Sequence, residues 1–150
     1  MSTSNINDLT QHPPRSPRTR LGGYVILPRT LDKARAKAAG TLGEYVYPGP
    51  LDKHFFEFVK IDPEALYAEV QTGKGDGAIL AWIQQQAGHK ATTWEILQWS
   101  AHNEARVANT VQARERSLNN LKQLAPERTD IFTGFDFLEL DDYVSFGGKP

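Results

Sequence analysis

Guanidinium groups bind carboxylates and phosphates through paired N–H···O bonds, so clustered arginines are the first place to look for chemistry. Arg15, Arg18, Arg29, Lys33 and Arg35 fall within a 21-residue stretch, with Asp32 among them. On a helix, Arg29, Asp32, Lys33 and Ala36 follow one another at three- and four-residue steps. Arg35 stands three residues past Asp32 and can also reach it. Tyr24, Tyr45 and Tyr47 add ring faces and hydroxyl donors. The pattern supports two readings. Arg15, Arg18, Tyr24, Arg29, Asp32, Lys33, Arg35 and Tyr45 form a binding site for an anionic small molecule or a protein partner, or the cations pair within the fold with an acidic C-terminal stretch.

Other reactive patterns are thinner. Of the four histidines, His102 shares a helical face with Glu95, Gln98 and Arg106, the pattern of a solvated polar stripe, and His54 has Glu57 three residues on. Two such groups fall short of the three protein ligands that a catalytic zinc requires. His12 and His89 have no evident partner. With no cysteine in the chain, thiolate nucleophiles, disulfides and cysteine-bound metals are excluded. No Gly-x-Ser-x-Gly elbow occurs. The glycines of Gly73-Lys74-Gly75-Asp76-Gly77 lack both the phosphate-loop spacing and a preceding strand, so they read as a flexible turn between helices. Asp141 and Asp142 are adjacent and therefore point in different directions, which reads as solvation and charge balance. No cofactor and no metal site is implied. An enzyme acting on an anionic substrate, with Asp32, Glu44 or Asp52 as acid–base group, remains the alternative to a non-catalytic binding module.

The frame that must position these residues is bounded by composition. At 150 residues with 39% hydrophobic and 23% charged side chains, the chain has the size and balance of one soluble domain with its own core. Its apolar runs, such as Tyr24 to Leu27, are far too short to span a membrane, and the polar start from Ser2 to Asp8 is unlike a signal peptide, so a cytoplasmic setting is expected. The net charge of −1 conceals two poles: residues 1–40 carry seven Lys/Arg against two Asp, and residues 125–150 carry two against six Asp/Glu. A pI near 6.4 argues against nucleic acid as a partner.

Pro13, Pro14 and Pro17 make residues 1–20 an arm that orders only by docking. The arm is expected to lie beside the acidic tail, whose Phe135, Leu138, Tyr143 and Phe146 need cover. Tyr24 to Leu27 suits a strand or a buried extended segment, and Leu42 to Tyr47 suits a second, ended by Pro48-Gly49-Pro50. Helical spacing begins with Pro28 as the first residue of a helix stopped by Gly40, and resumes over Leu51 to Lys60. Asp62 and Pro63 open a further helix, with Ile61 placed to staple onto Leu66. Ile79, Leu80, Ile83 and Ala87 mark another. Thr92 and Glu95 form a capping box for a helix bearing Trp94, Leu97 and Ala101 on one face and Ile96 and Trp99 beside it. Residues 108–125 carry Val111, Leu118 and Leu121 at helical spacing until Pro126. Asp136 and Glu139 offer a capping box for a short helix to about Tyr143. Trp82, Trp94 and Trp99 all sit beside Leu or Ile positions and are expected in the core.

Several short stretches carry a resemblance: Arg15-Ser16-Pro17-Arg18, Leu21-Gly22-Gly23-Tyr24, Leu27-Pro28-Arg29, Asp32-Lys33-Ala34-Arg35-Ala36, Gly43-Glu44-Tyr45, Leu51-Asp52, and the run from Asp141 to Lys149. Together, over about residues 9 to 149, they resemble a bacterial family of small proteins known as domain-of-unknown-function family 5069. The resemblance implies no reaction. In that family a cysteine often precedes the Pro-Leu-Asp, where Gly49 stands here.

The resulting expectation is a mainly α protein of five to six helices, with at most a small two-stranded β element near Tyr24 and Tyr47. The arm covers residues 1–20, a single helical domain residues 21–147, and a frayed tail residues 148–150. The leading function is a non-catalytic module that binds an anionic small molecule or a protein partner through the Arg-rich first quarter.

Overall fold

The structure, a computed structural model, describes residues 6–150; positions 1–5 of the expected arm lie outside the described residues. Seven helices follow in order: α1 (Leu27–Ala39), α2 (Pro50–Val59), α3 (Pro63–Val70), α4 (Asp76–Gln86), α5 (Thr93–Ala105), α6 (Val111–Leu124) and α7 (Gly134–Ser145). The expected count of five to six is thus corrected to seven among the described residues. The two-stranded element is corrected as well, since no strand forms among the described residues. Leu21 and Tyr24 bond only to each other, in a single bridge across the left-handed Gly22-Gly23 turn. Val25, Ile26 and Leu27 are then fully buried and run directly into α1, so no length of extended chain is left to pair.

Local signals account for most helix ends. Gly40 stops α1 in the left-handed conformation and donates to Lys37 O, as a residue without Cβ does at little cost. Asp62 caps α3 by accepting from Glu64 N, and Ile61 and Leu66 are both buried. The Thr92–Glu95 capping box opens α5. The box that opens α7 is Thr133–Asp136, one turn earlier than the expected Asp136–Glu139 pair, and so α7 begins at Gly134. The Gly75-Asp76-Gly77 turn ends sooner than expected because Asp76 is already the first residue of α4.

α1 is buried along most of its length, apolar and polar residues alike, and the rest packs around it. Its Leu27, Leu31 and Ala34 join Phe55, Phe56 and Val59 of α2, Leu66 of α3, and Ile79 and Ile83 of α4 in the main core. Tyr24 is inside this cluster, its ring edge-on to Phe55 at 5.3 Å and to Trp99 at 5.9 Å. A second cluster joins Val25 and Ile26 to Phe135 of α7, with Leu51 and Trp99 against it.

Of the two apolar stripes of α5, only that of Ile96 and Trp99 turns inward. Ser100, fully buried, donates to Gly23 O at 2.6 Å and accepts from Val25 N at 3.1 Å, and this clasp sets the rotation of the helix. Ile96 and Trp99 then pack on the core, while Trp94 is 66% exposed and Leu97 49%. The expectation of three buried tryptophans is therefore corrected for Trp94; Trp82 and Trp99 are half-buried. Trp94→Ala is expected to change stability by no more than about 0.5 kcal/mol, against about 3–5 kcal/mol for Phe55→Ala. Urea unfolding of the two variants measures the contrast, and equal losses would contradict this orientation of α5.

Candidate functional site

Seven of the eight residues expected in a binding site are distributed over four places, and Tyr24 lies in the core. The first is a cleft of about 640 Å³ where the arm, α1 and the α3–α4 turn meet, lined by His12, Arg15, Asp32, Arg35, Lys74 and Asp76 among others. Arg15 bridges two carboxylates there. Its Nη2 lies 3.0 Å from Asp32 Oδ1 and its Nη1 2.7 Å from Asp76 Oδ2, and its backbone N–H also donates to Asp32 at 2.8 Å. Arg35 reaches Asp76 at 2.8 Å and Asp32 only at 4.0 Å. Hydrogen bonds from Arg15, and then from Arg35, hold the Asp76 carboxyl below the ordinary carboxylate range against the opposing effect of burial. Lys74 pairs with Glu69 beside the same opening. Arg15, Asp32, Arg35, Lys74 and Asp76 all keep some solvent access, from 17% for Asp32 to 48% for Lys74.

The second place joins the arm to the last helix. Arg18 pairs with Asp136 and, at 3.0 Å, with Glu139, and its guanidinium lies over the Phe135 ring. Ser16 donates to the same Glu139 at 2.6 Å. The arm's backbone also contributes, since Ile26 N–H donates to Pro17 O at 2.9 Å.

The third and fourth places are interior. Arg29 is 4% exposed and closes its fork on Asp142 at 2.7 and 3.1 Å, while the Tyr45 hydroxyl donates to the same carboxylate at 2.7 Å. Burial, followed by the carboxylate beside it, pushes the Tyr45 hydroxyl well above its usual value. Lys33 lies 2.6 Å from Asp52, a carboxylate with no solvent exposure that also accepts from Thr30 Oγ1 and Gly49 N, each at 2.6 Å. Burial lowers the Lys33 ammonium although Asp52 pulls the other way. Both pairs form because α1 is central: charged side chains on its inward faces must bring their counter-charges in with them. Every buried side-chain nitrogen and oxygen among the described residues has a partner.

Of the expected set, the structure brings Arg15, Asp32 and Arg35 together in an open cleft. Arg18 is spent on α7, Arg29, Tyr45 and Lys33 on buried pairs, and Tyr24 on the core. The sequence reading did not place Asp76, Lys74 or His12 in the site. Asp76 could have been placed at a helix start, because acidic residues are favoured in the first turn of a helix. Asp52, one of the candidate acid–base groups, is sealed from solvent. His54 accepts from Arg106 at 2.6 Å, and burial together with this cation lowers its tendency to protonate. Among the described residues no group of three or more His, Cys, Asp or Glu could hold a metal ion, and no helix is long and apolar enough to cross a membrane.

Gly49 occupies a guarded position at the start of α2. A Cβ there would come within 3.0 Å of Lys33 Nζ and 3.3 Å of Asp52 Oδ2. No curated protein matches the chain. Residues 11–144 match the profile of a domain of unknown function (DUF5069), the stretch that holds the second half of the arm, all the paired cations and α7 as far as Val144, and the chain belongs to that family.

Proposed function

We propose that the protein is a non-catalytic binding module whose cleft between the arm, α1 and the α3–α4 turn takes a small anionic molecule. The observation that supports this is convergence. Segments far apart in sequence bring Arg15, Arg35, Lys74 and His12 to one opening of about 640 Å³. Cavities of roughly 300–1,000 Å³ are the usual size for small-molecule sites. Asp32 and Asp76 hold the Arg15 guanidinium between them and Asp76 also holds that of Arg35, and preorganised cations of this kind lose little entropy when a ligand binds. Arg35 carries specificity in this reading, because its remaining N–H groups are not committed to the fold to the extent that those of Arg15 are.

A thermal-shift panel of inorganic phosphate, pyrophosphate, sugar phosphates and di- and tricarboxylates tests it. At about 100 times Kd a ligand of the native state adds roughly 2.7 kcal/mol, which for a chain of this size raises Tm by about 5–10 °C. Arg35→Ala is expected to abolish the shift while moving the unliganded Tm little. No response to any anion at millimolar concentration would defeat the proposal, and so would an unchanged response in Arg35→Ala.

A further inference from the structure

α6 is the least integrated helix. Its 14 residues include none that is buried, and it lies against α7 alone among the principal helix pairs. Isolated helices of this length are marginal in water, so the apolar face of α6 calls for more cover than α7 provides. Four of the ten large apolar side chains exposed among the described residues surround it: Val107 at 47%, Val111 at 71%, Leu118 at 48% and Phe132 at 68%. Two hollows open along the seam between α6 and α7. One, of about 240 Å³, is lined by Val107, Arg114, Leu118 and Phe132; the other, of about 520 Å³, by Leu124, Leu138 and Asp141. Gly134 and Phe137 line both, so the seam is one continuous apolar groove.

The charges on this groove are arranged by end. Arg114 stands at one end and Asp141 at the other, and neither has an ion-pair partner among the described residues. A two-fold rotation about an axis through the middle of the seam exchanges its ends. It would bring Arg114 of one copy against Asp141 of the other, twice, with the apolar hollows facing each other between them. A foreign partner would require no such antisymmetry. We infer that the α6–α7 groove is the interface of a two-fold homodimer, with Phe137 near its centre, the hollow of Leu118 and Phe132 in each copy facing that of Leu124 and Leu138 in the other, and reciprocal Arg114–Asp141 pairs at its rim.

Sedimentation equilibrium on the full chain at tens of micromolar tests this. The expected mass is twice the 16.8 kDa of the chain. Leu118→Glu should return it to one chain mass with an unchanged far-ultraviolet circular dichroism spectrum, since the residue is half exposed and α6 buries nothing. Arg114→Asp and Asp141→Arg should each weaken the dimer at least about tenfold, and the double variant, which restores opposite charges, should recover most of that loss. A wild-type chain that stays at one chain mass at every concentration overturns the inference, whether or not the groove serves another protein. A dimer indifferent to Leu118→Glu, or a double variant no better than the singles, overturns it equally.

Discussion

Asp52→Ala is expected to cost about 3–5 kcal/mol, the usual consequence of leaving a charge buried without its partner. Three donors converge on this carboxylate: the Lys33 ammonium, the Thr30 hydroxyl and the Gly49 amide. Removing it strands all three where water does not reach, and it also removes the acceptor at the third position of α2 that completes the helix start. The loss is larger than an exposed salt bridge would give, because exposed pairs contribute only about 0–1 kcal/mol. A second variant separates the charge from the packing. Lys33→Met combined with Asp52→Asn keeps most of the volume and an acceptor for Thr30, and should restore a large part of the loss, since a buried ion pair replaced as a unit is often close to neutral. Urea denaturation read by circular dichroism gives both values. A single variant within 1 kcal/mol of wild type would show that solvent reaches the pair.

Deleting residues 1–20 should destabilise the chain by about 3–6 kcal/mol and open the face of α7 toward exchange. Leu9 is 1% exposed and its burial alone contributes about 1.5–3 kcal/mol. The deletion also removes Pro17 O, leaving the Ile26 N–H without its acceptor beside fully buried neighbours, a cost of about 1–3 kcal/mol. The ion pairs of Arg15 and Arg18 add less, being about one-third exposed. Hydrogen exchange should rise at residues 134–145 and around Ile26, while the α3–α4 pair stays protected. A truncated chain with wild-type stability and exchange would mean that the arm contributes nothing to the fold.

Helix ends were largely legible because they are set by short-range chemistry: the Thr92–Glu95 box, the Asp62-Pro63 opening and the Gly40 stop each depend on a few adjacent residues. Orientation was not. α5 carries two apolar stripes, Trp94-Leu97-Ala101 and Ile96-Trp99, and the choice between them is made by Ser100 reaching the Gly23–Val25 backbone 75 and 77 residues away. The candidate site shows the same division. Clustered arginines pointed either to an anion site or to pairing with the acidic tail, and Arg18 and Arg29 do pair with α7, but helix spacing alone could not show that α1 is central, so that Arg29 and Lys33 face inward while Arg35 reaches an open cleft. Arg15 and Asp76 stand 61 positions apart, and nothing local links them.

The buried Arg29 has a consequence for how the chain is made. Its carboxylate partner, Asp142, lies 113 residues further on, and Arg18 waits 121 residues for Glu139. At typical synthesis rates of about 5–20 residues per second, the helix that neutralises these cations arrives roughly 6–24 seconds after them. Until then α1 cannot take its final place in the interior without carrying an unpaired guanidinium. The nascent protein is thereby held short of completion until α7 is made, and a ribosome stalled before residue 134 would display a chain with Arg18 and Arg29 still in water.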